Sequence, residues 1–316
     1  MPCTYAKIGE VTTRLDRLLL TQRQNTTPYS IHSDDAPTFY INGNPAPTDP
    51  TTRTMEHDVN ALTTVNPITG NTDHLSVLLA DRAEMKLIHM VPSVADRTPT
   101  FTMFANPDYF IQNSSAFTGG QGKDCSQPPP CLFEDPGFAW NHGDFQKEIT
   151  RTWFGMAGPG VRVQGRNDEV FSDHTDLRPT LMALLGLKDD YVHDGRVLVE
   201  KLETRSLPDA LEDSRRDYVE LAGAYKQINA TKGSVGRNSL VYANRAIAGT
   251  DKGYTRYLAK IGEITEQRNE LAAEMIALLN AAAFKNKPIR DHQGDDLIDR
   301  AMRLVDKVED LADHAE

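Results

Sequence analysis

The last third of the sequence carries apolar residues at helical spacing, and this pattern constrains the fold more than any other feature. Three successive stripes each fall on one helical face: Leu211, Tyr218, Leu221, Tyr225 and Ile228; then Leu258, Ile261, Leu271, Met275 and Leu278; then Leu297, Ala301, Leu304, Val308 and Leu311. Breaks containing glycine or proline separate them near residues 233–236, 249–253 and 285–294. The pattern predicts three or four antiparallel helices, and the glycine breaks weigh against one continuous coiled coil.

The first 206 residues have a different texture, rich in Pro, Gly, Asn and Asp, with short apolar runs between turns. That texture is typical of an α/β fold. Strands are expected at YSIHS, TFYIN, MKLIHMV, TPTFTMF and TRTWFGMAGPGV, and helices at residues 8–20, 55–62, 74–79 and at DLRPTLMALLGL with Asp176 as its N-cap. We therefore predict two domains, an α/β domain over residues 1–206 and a helical appendage over 207–316 that is dispensable for the chemistry.

The charge balance limits the partners of this chain. With 34 basic and 45 acidic residues, the net charge is −11, so nucleic acids and anionic membrane surfaces would be repelled. No apolar run approaches the roughly 20 residues of a membrane helix, and the N-terminus lacks the pattern of a signal peptide. The compartment stays open, because Cys125 and Cys131 could close the loop DCSQPPPC as a disulfide or remain two free thiols.

Three residues are candidate metal ligands. Asp34 and Asp35 follow the strand YSIHS, and adjacent carboxylates at a strand end repel each other unless a cation or a proton lies between them. His142 lies on a turn in FAWNHGDF. Together they predict a divalent ion, zinc first, with manganese or calcium as alternatives. The competing interpretations are a turn or cap role for the aspartates and a surface position for the histidine.

The order of motifs resembles the C-terminal portion of the alkaline phosphatase superfamily, which comprises phosphatases, nucleotide pyrophosphatase/phosphodiesterases and sulfatases. SDDAP stands where that group has a Ser-Asp-His-Gly metal motif, and NHGD stands where it has a late metal-binding histidine. WFGMAGPGV, SDHTDLRPTLMALLGL and DGRVL are similar to the segments that close its domain. The resemblance covers about residues 2–200, and its specific part runs from 140 to 198. It implies a partial alkaline-phosphatase-like sheet flanked by helices.

The sequence also departs from the family pattern. If MPCTYAKIG takes the place of the family's Asp-x-x-x-His segment, Cys3 and Lys7 occupy ligand positions, and Asp35 stands where a histidine is usual. By the resemblance, the hydroxyl nucleophile lies upstream of this chain. We interpret Asp173 and His174 in SDHTD as a helix lead-in with a capping role, and Asp144, Lys7 and Asn141 as outer groups of the site.

These observations predict a metal-dependent phosphoric or sulfuric ester hydrolase of the phosphodiesterase/nucleotide pyrophosphatase type, incomplete and inactive as this chain alone. The substrate would be a small phosphate or sulfate ester. Full-length relatives are expected to be exported. The alternative is a non-catalytic binding or assembly module that retains the fold, with self-association through the helical tail.

Overall fold

A computed structural model describes residues 11–112, 132–134, 142–167, 171–188 and 191–314. The fold is mixed α/β with small sheets and a helical C-terminal region, as predicted at that level. The chain divides into two compact units. Unit 1 contains the described residues up to Thr152 together with Leu240–Ala259, and unit 2 contains the described residues of Trp153–Ser239 and Lys260–His314.

Unit 1 contains nine short strands and four helices before the chain reaches unit 2, counted over the described residues. The strands are β1 (Val11–Arg14), β2 (Tyr29–His32), β3 (Thr38–Ile41), β4 (Thr63–Val65), β5 (Thr72–His74), β6 (Ser76–Asp81), β7 (Phe101–Ala105), β8 (Tyr109–Gln112) and β9 (Leu132–Glu134). The helices are α1 (Leu15–Arg23), α2 (Pro50–Asn60), α3 (Arg82–Leu87) and α4 (Lys147–Thr150).

The strands of unit 1 form three sheets. One is antiparallel with the order β2-β3-β7-β6, and the second has the order β8-β1-β9, with β1 parallel to β8 and antiparallel to β9. A hairpin of β4 and β5 is the third. Every residue of β7 is buried, and Phe101 stacks on Phe39 of β3 with ring centroids 4.4 Å apart. The four-stranded sheet therefore packs its core around β7.

Six further helices follow in the described chain. They are α5 (Leu177–Leu184), α6 (Asp209–Asp213), α7 (Arg215–Asn229), α8 (Ser234–Ala248), α9 (Asp251–Lys285) and α10 (Asp291–His314). The last four confirm the predicted helices and their breaks. Gly233 lies in the turn before α8, where a Cβ atom would come within 2.3 Å of the carbonyl oxygen of Lys226, so only glycine fits. All five apolar residues of the first predicted stripe are buried.

Three of the sequence-based secondary-structure predictions are wrong, and a fourth is correct only in part. Residues 74–79, predicted as a helix, fall in β5 and β6, because β6 pairs with β7. MKLIHMV, predicted as a strand, contains none: its first three residues end α3, which begins where Asp81 accepts a hydrogen bond from the amide of Glu84. TRTWFGMAGPGV contains no strand, and the Trp153 side chain is 87% exposed. The helix expected over residues 8–20 is confirmed for residues 15–20, which lie in α1, whereas residues 11–14 form β1 because the β-branched VTTR pairs with strands on both sides.

The two units do not follow the predicted boundary between residues 206 and 207. Segment 171–202 belongs with the long helices of unit 2, because the Tyr218 hydroxyl on α7 accepts a hydrogen bond from the Val197 amide at 3.0 Å and the Tyr225 hydroxyl donates to the Asp194 carbonyl at 3.1 Å. Conversely, Leu240–Ala259 belongs to unit 1. None of the helices in the described part of the chain combines the length and apolar character that a membrane span needs.

Candidate functional site

Asp34 lies where the two larger sheets of unit 1 meet. It follows β2, and its carbonyl accepts a hydrogen bond from the amide of Ile111 on β8 at 3.1 Å, which forms an isolated antiparallel bridge. Its half-buried side chain turns back to accept the amide of Asp35 at 2.9 Å. Asp35 itself is fully buried, and its carbonyl accepts the Ala105 amide at 3.0 Å. The SDDAP turn is therefore fixed by its backbone at the ends of β7 and β8.

The turn that carries His142 meets this aspartate. Gly143 has a φ of +102°, and a Cβ atom built on it would lie 3.3 Å from Asp34 Oδ2. Glycine thus allows the backbone beside His142 to approach the Asp34 carboxylate closely. The His142 side chain is exposed. The structure therefore brings two of the predicted ligand segments together from distant parts of the sequence.

The residues after Gly143 anchor the turn to β7. The Phe145 ring packs on Phe104 with centroids 5.3 Å apart, and Gln146 Nε2 donates to the Ala105 carbonyl at 3.4 Å. Asp144 is buried, and its carboxylate accepts the amide of Phe145. Asp144 thereby stabilises the conformation of its own turn. This anchoring role was not foreseen from the sequence, although an aromatic residue directly after NHGD was a signal for it.

The predicted ligands fit a metal ion only in part. Within the described ranges, no group of three or more His, Cys, Asp or Glu side chains is placed to hold a metal ion. Asp35 is buried, whereas His142 is exposed, so the two side chains lie in different environments. Cys3, Lys7, Asn141 and the pair Cys125 and Cys131 lie outside the described residues. Asp34 and the His142 turn are the part of the predicted centre that the structure places side by side.

The SDHTD motif has the predicted capping role in unit 2. Asp173 accepts the amide of Thr175 at 2.9 Å, and Asp176 accepts the amide of Asp173 at 3.1 Å, which together form a capping box around a single 3-10 turn before α5. Asp176 is fully buried and also accepts the amide of Arg196 at 2.9 Å. It therefore joins the SDHTD turn to the DGRVL segment. The predicted N-cap hydrogen bond from Asp176 at the start of α5 is not made.

Lys226 completes this cluster, and sequence reasoning missed it. The residue is 2% exposed on α7, and its ammonium lies 2.8 Å from Asp173, 3.0 Å from Asp176 and 3.0 Å from the Thr175 hydroxyl. Burial raises the pKa of Asp173, but the Lys226 ammonium and the hydrogen bonds from Thr175 lower it by more, so its net pKa lies below the usual value of 3.8. The sequence did contain one sign that Lys226 is buried: it lies four residues after Ala222, on the apolar face of the same helix.

No protein-family model, curated protein or solved structure matches this chain.

Proposed function

We propose that this chain carries part of the metal centre of a phosphoric or sulfuric ester hydrolase of the phosphodiesterase/nucleotide pyrophosphatase type, with an alkaline-phosphatase-like domain. The supporting observation is the close approach of Gly143 to the Asp34 carboxylate, since a Cβ atom on Gly143 would lie only 3.3 Å from Asp34 Oδ2. In the superfamily that the motifs resemble, the corresponding aspartate and histidine both bind metal. A close approach of these two turns is what such a centre requires.

Asp34 and His142 would hold a divalent ion, with zinc expected first and manganese or calcium as alternatives. Such an ion, when bound, polarises a phosphoryl or sulfuryl oxygen. A carboxylate that is half-buried and an imidazole that is exposed would present the ion to solvent and to a small ester. The buried Asp35 would stabilise the turn beneath Asp34 and add negative charge there. The proposal requires at least one further ligand from outside the described residues.

A non-catalytic assembly module is the second candidate, and one observation favours it. Unit 2 exposes large apolar side chains between residues 153 and 192, namely Trp153, Phe154, Val163, Phe171, Leu181, Leu185, Leu187, Tyr191 and Val192. Exposed apolar groups at this density are typical of surfaces that another protein covers.

Calorimetric titration with zinc and with manganese tests the metal centre. We expect weak binding by the wild-type chain, and a loss of affinity of about tenfold or more in His142→Ala and Asp34→Asn, because each removes a proposed ligand. His292→Ala, which removes an exposed histidine on α10, is the matched control and should bind like wild type. Equal binding by wild type and His142→Ala would exclude His142 as a ligand.

Two further measurements separate the two candidate functions. Release of nitrophenol from bis-nitrophenyl phosphate that His142→Ala abolishes would place the whole catalytic machinery in this chain. A concentration-dependent increase in mass by light scattering, together with no metal binding, would instead support the assembly module.

A further inference from the structure

A buried charged cluster in unit 1 holds the segment Leu240–Ala259, and its centre is Arg53 of α2. The Arg53 side chain is about 5% exposed, and its guanidinium forms an ion pair with Glu56. It also donates to the carbonyl of Ile247 at 2.8 Å, contacts Asp251 at 3.3 Å and lies 3.8 Å above the ring of Tyr254. One side chain of α2 therefore binds the end of α8 and the first turn of α9.

Asp81, at the end of β6, holds the same segment from a second direction. It is fully buried, and it accepts the hydroxyls of Tyr254 at 2.6 Å and Tyr257 at 3.2 Å. A third link comes from Asn244 of α8, whose Oδ1 accepts the amide of Leu79 at 3.0 Å. These contacts were not foreseen from the sequence, because each joins residues more than 160 positions apart.

The cluster is rich in ionisable groups. They are Arg53, Glu56 and His57 from α2, Asp81 and Glu84 from the corner between β6 and α3, and Asp251, Tyr254 and Tyr257 from α9, with Arg23 and Asp58 beside His57. Glu56, Asp81 and Glu84 are each fully buried, whereas Asp251 is 80% exposed at its side chain. Arg53 pairs directly with Glu56, and Asp81 lies close enough to Glu56 for its charge to raise the pKa of Glu56.

The surroundings of Glu56 therefore disfavour its ionised form. Burial is the largest effect that raises the pKa of Glu56, and the Asp81 carboxylate raises it further. Arg53 opposes both effects only in part, so the net pKa of Glu56 is about 8. Burial also raises the pKa of Asp81, although hydrogen bonds from the Glu84 amide, Tyr254 and Tyr257 oppose it. His57, which contacts Arg53, has a pKa lowered by its own burial and by that guanidinium.

We propose that the cluster of Arg53, Glu56 and Asp81 is a pH-sensitive clasp that holds Leu240–Ala259 on the rest of unit 1 and loosens as the pH rises through the neutral range.

The direction of the pH effect follows from the proton that Glu56 releases when the clasp opens. When the segment leaves, Glu56 reaches water and returns toward its ordinary pKa of 4.5, so opening releases a proton at any pH between 4.5 and about 8. Stability of the clasp is thus complete below 4.5 and is lost as the pH rises toward 8. His57 acts in the opposite direction, but only below its ordinary value of 6.5, because it is neutral in both states above that pH.

Hydrogen exchange on the full chain, measured by mass spectrometry at about pH 6.5 and about pH 8.5, tests the clasp. After correction for intrinsic exchange rates, we expect the opening constant of amides in Leu240–Ala259 to rise about tenfold or more between these two values. Amides of α10, which lie in unit 2, should show no such change. Glu56→Gln cannot ionise and should remove most of the pH response, whereas Glu309→Gln, on the exposed face of α10, should keep it.

Two results would overturn the proposal. The first is equal protection of Leu240–Ala259 in the wild-type chain at both pH values, which decides the matter even if Glu56→Gln does not fold. The second is a folded Glu56→Gln protein with the full wild-type pH response.

Discussion

Tyr254 donates its hydroxyl to the carboxylate of Asp81 at 2.6 Å across 173 positions of sequence. Both residues are buried, and the bond links α9 to the end of β6. Replacing Tyr254 by Phe keeps the ring but leaves a buried carboxyl group with one donor fewer. We expect the free energy of unfolding to fall by about 1–3 kcal/mol, measured by urea titration. Tyr40→Phe is the control, because the Tyr40 hydroxyl makes an exposed contact at 3.4 Å, and its loss should cost less than about 0.5 kcal/mol.

Lys226 should be far more important for stability than an exposed lysine that also has a carboxylate partner. Lys226→Met leaves the fully buried Asp176 and its neighbour Asp173 without their shared cation, so we expect a loss of about 3–5 kcal/mol. Lys260→Met removes an exposed pair with Glu263, which solvent screens, and should cost far less stability than Lys226→Met. Similar losses in the two variants would show that the buried cluster contributes no more than a surface pair.

Gly195 should not tolerate a side chain. A Cβ atom there would come within 1.9 Å of the carbonyl oxygen of Thr175, so Gly195→Ala must displace the SDHTD turn. We expect a loss of about 3 kcal/mol or more in thermal or urea unfolding. Gly223→Ala provides the contrast, because its Cβ would meet nothing within 4 Å inside α7, and it should stabilise the protein by about 0.5–1 kcal/mol.

A comparison of Gly143→Ala with Gly70→Ala separates the effect of backbone strain from the effect of crowding the Asp34 carboxylate. Gly143 and Gly70 both have a positive φ, of +102° and +74°, but only the Cβ at Gly143 would press on the Asp34 carboxylate. Each variant should lose about 1–2 kcal/mol of stability through strain. If the proposed metal centre is correct, Gly143→Ala alone should also weaken zinc binding in calorimetry, whereas Gly70→Ala should leave it unchanged. Unchanged affinity in both would separate this turn from the metal.

A chain ending at Glu200 should fail to fold, contrary to the expectation that the helical tail is dispensable. It would lack Tyr218, Tyr225 and Lys226 in unit 2, and Tyr254 and Tyr257, which bind Asp81 in unit 1. Far-UV circular dichroism and proteolysis of the shortened chain should therefore show loss of structure. A soluble, protease-resistant product would support the predicted boundary at residue 206.

Features that repeat locally were predictable, and features fixed by distant partners were not. The stripe from Leu211 to Ile228 identified α7, apart from Leu211, which lies in the preceding short helix α6, because helical spacing alone determines that face. A helix was predicted over residues 74–79, yet residues 76–81 form β6 because β7 pairs with them, and that pairing leaves no periodic signal of its own.

The same distinction applies to the candidate site. Asp34 and His142 were identifiable by residue type and motif order. The positive φ of Gly143 and its contact with Asp34 appear only once the chain is folded. Lys226 was overlooked because a lysine within an apolar stripe reads as a surface interruption until its two aspartate partners are known.

Both α8 and α9 are divided between the two units, and this division has a consequence for synthesis on the ribosome. Unit 1 begins at the start of the chain, but it includes Leu240–Ala259, so Asp81 meets its tyrosine partners only after residue 257 has left the exit tunnel. Unit 2 is complete only after α10 has been synthesised. Unit 1 must therefore wait until residues 153–239 of unit 2 have been synthesised, and unit 2 is completed later still. The nascent chain thus exposes incomplete apolar cores through most of translation, a state in which chaperones bind.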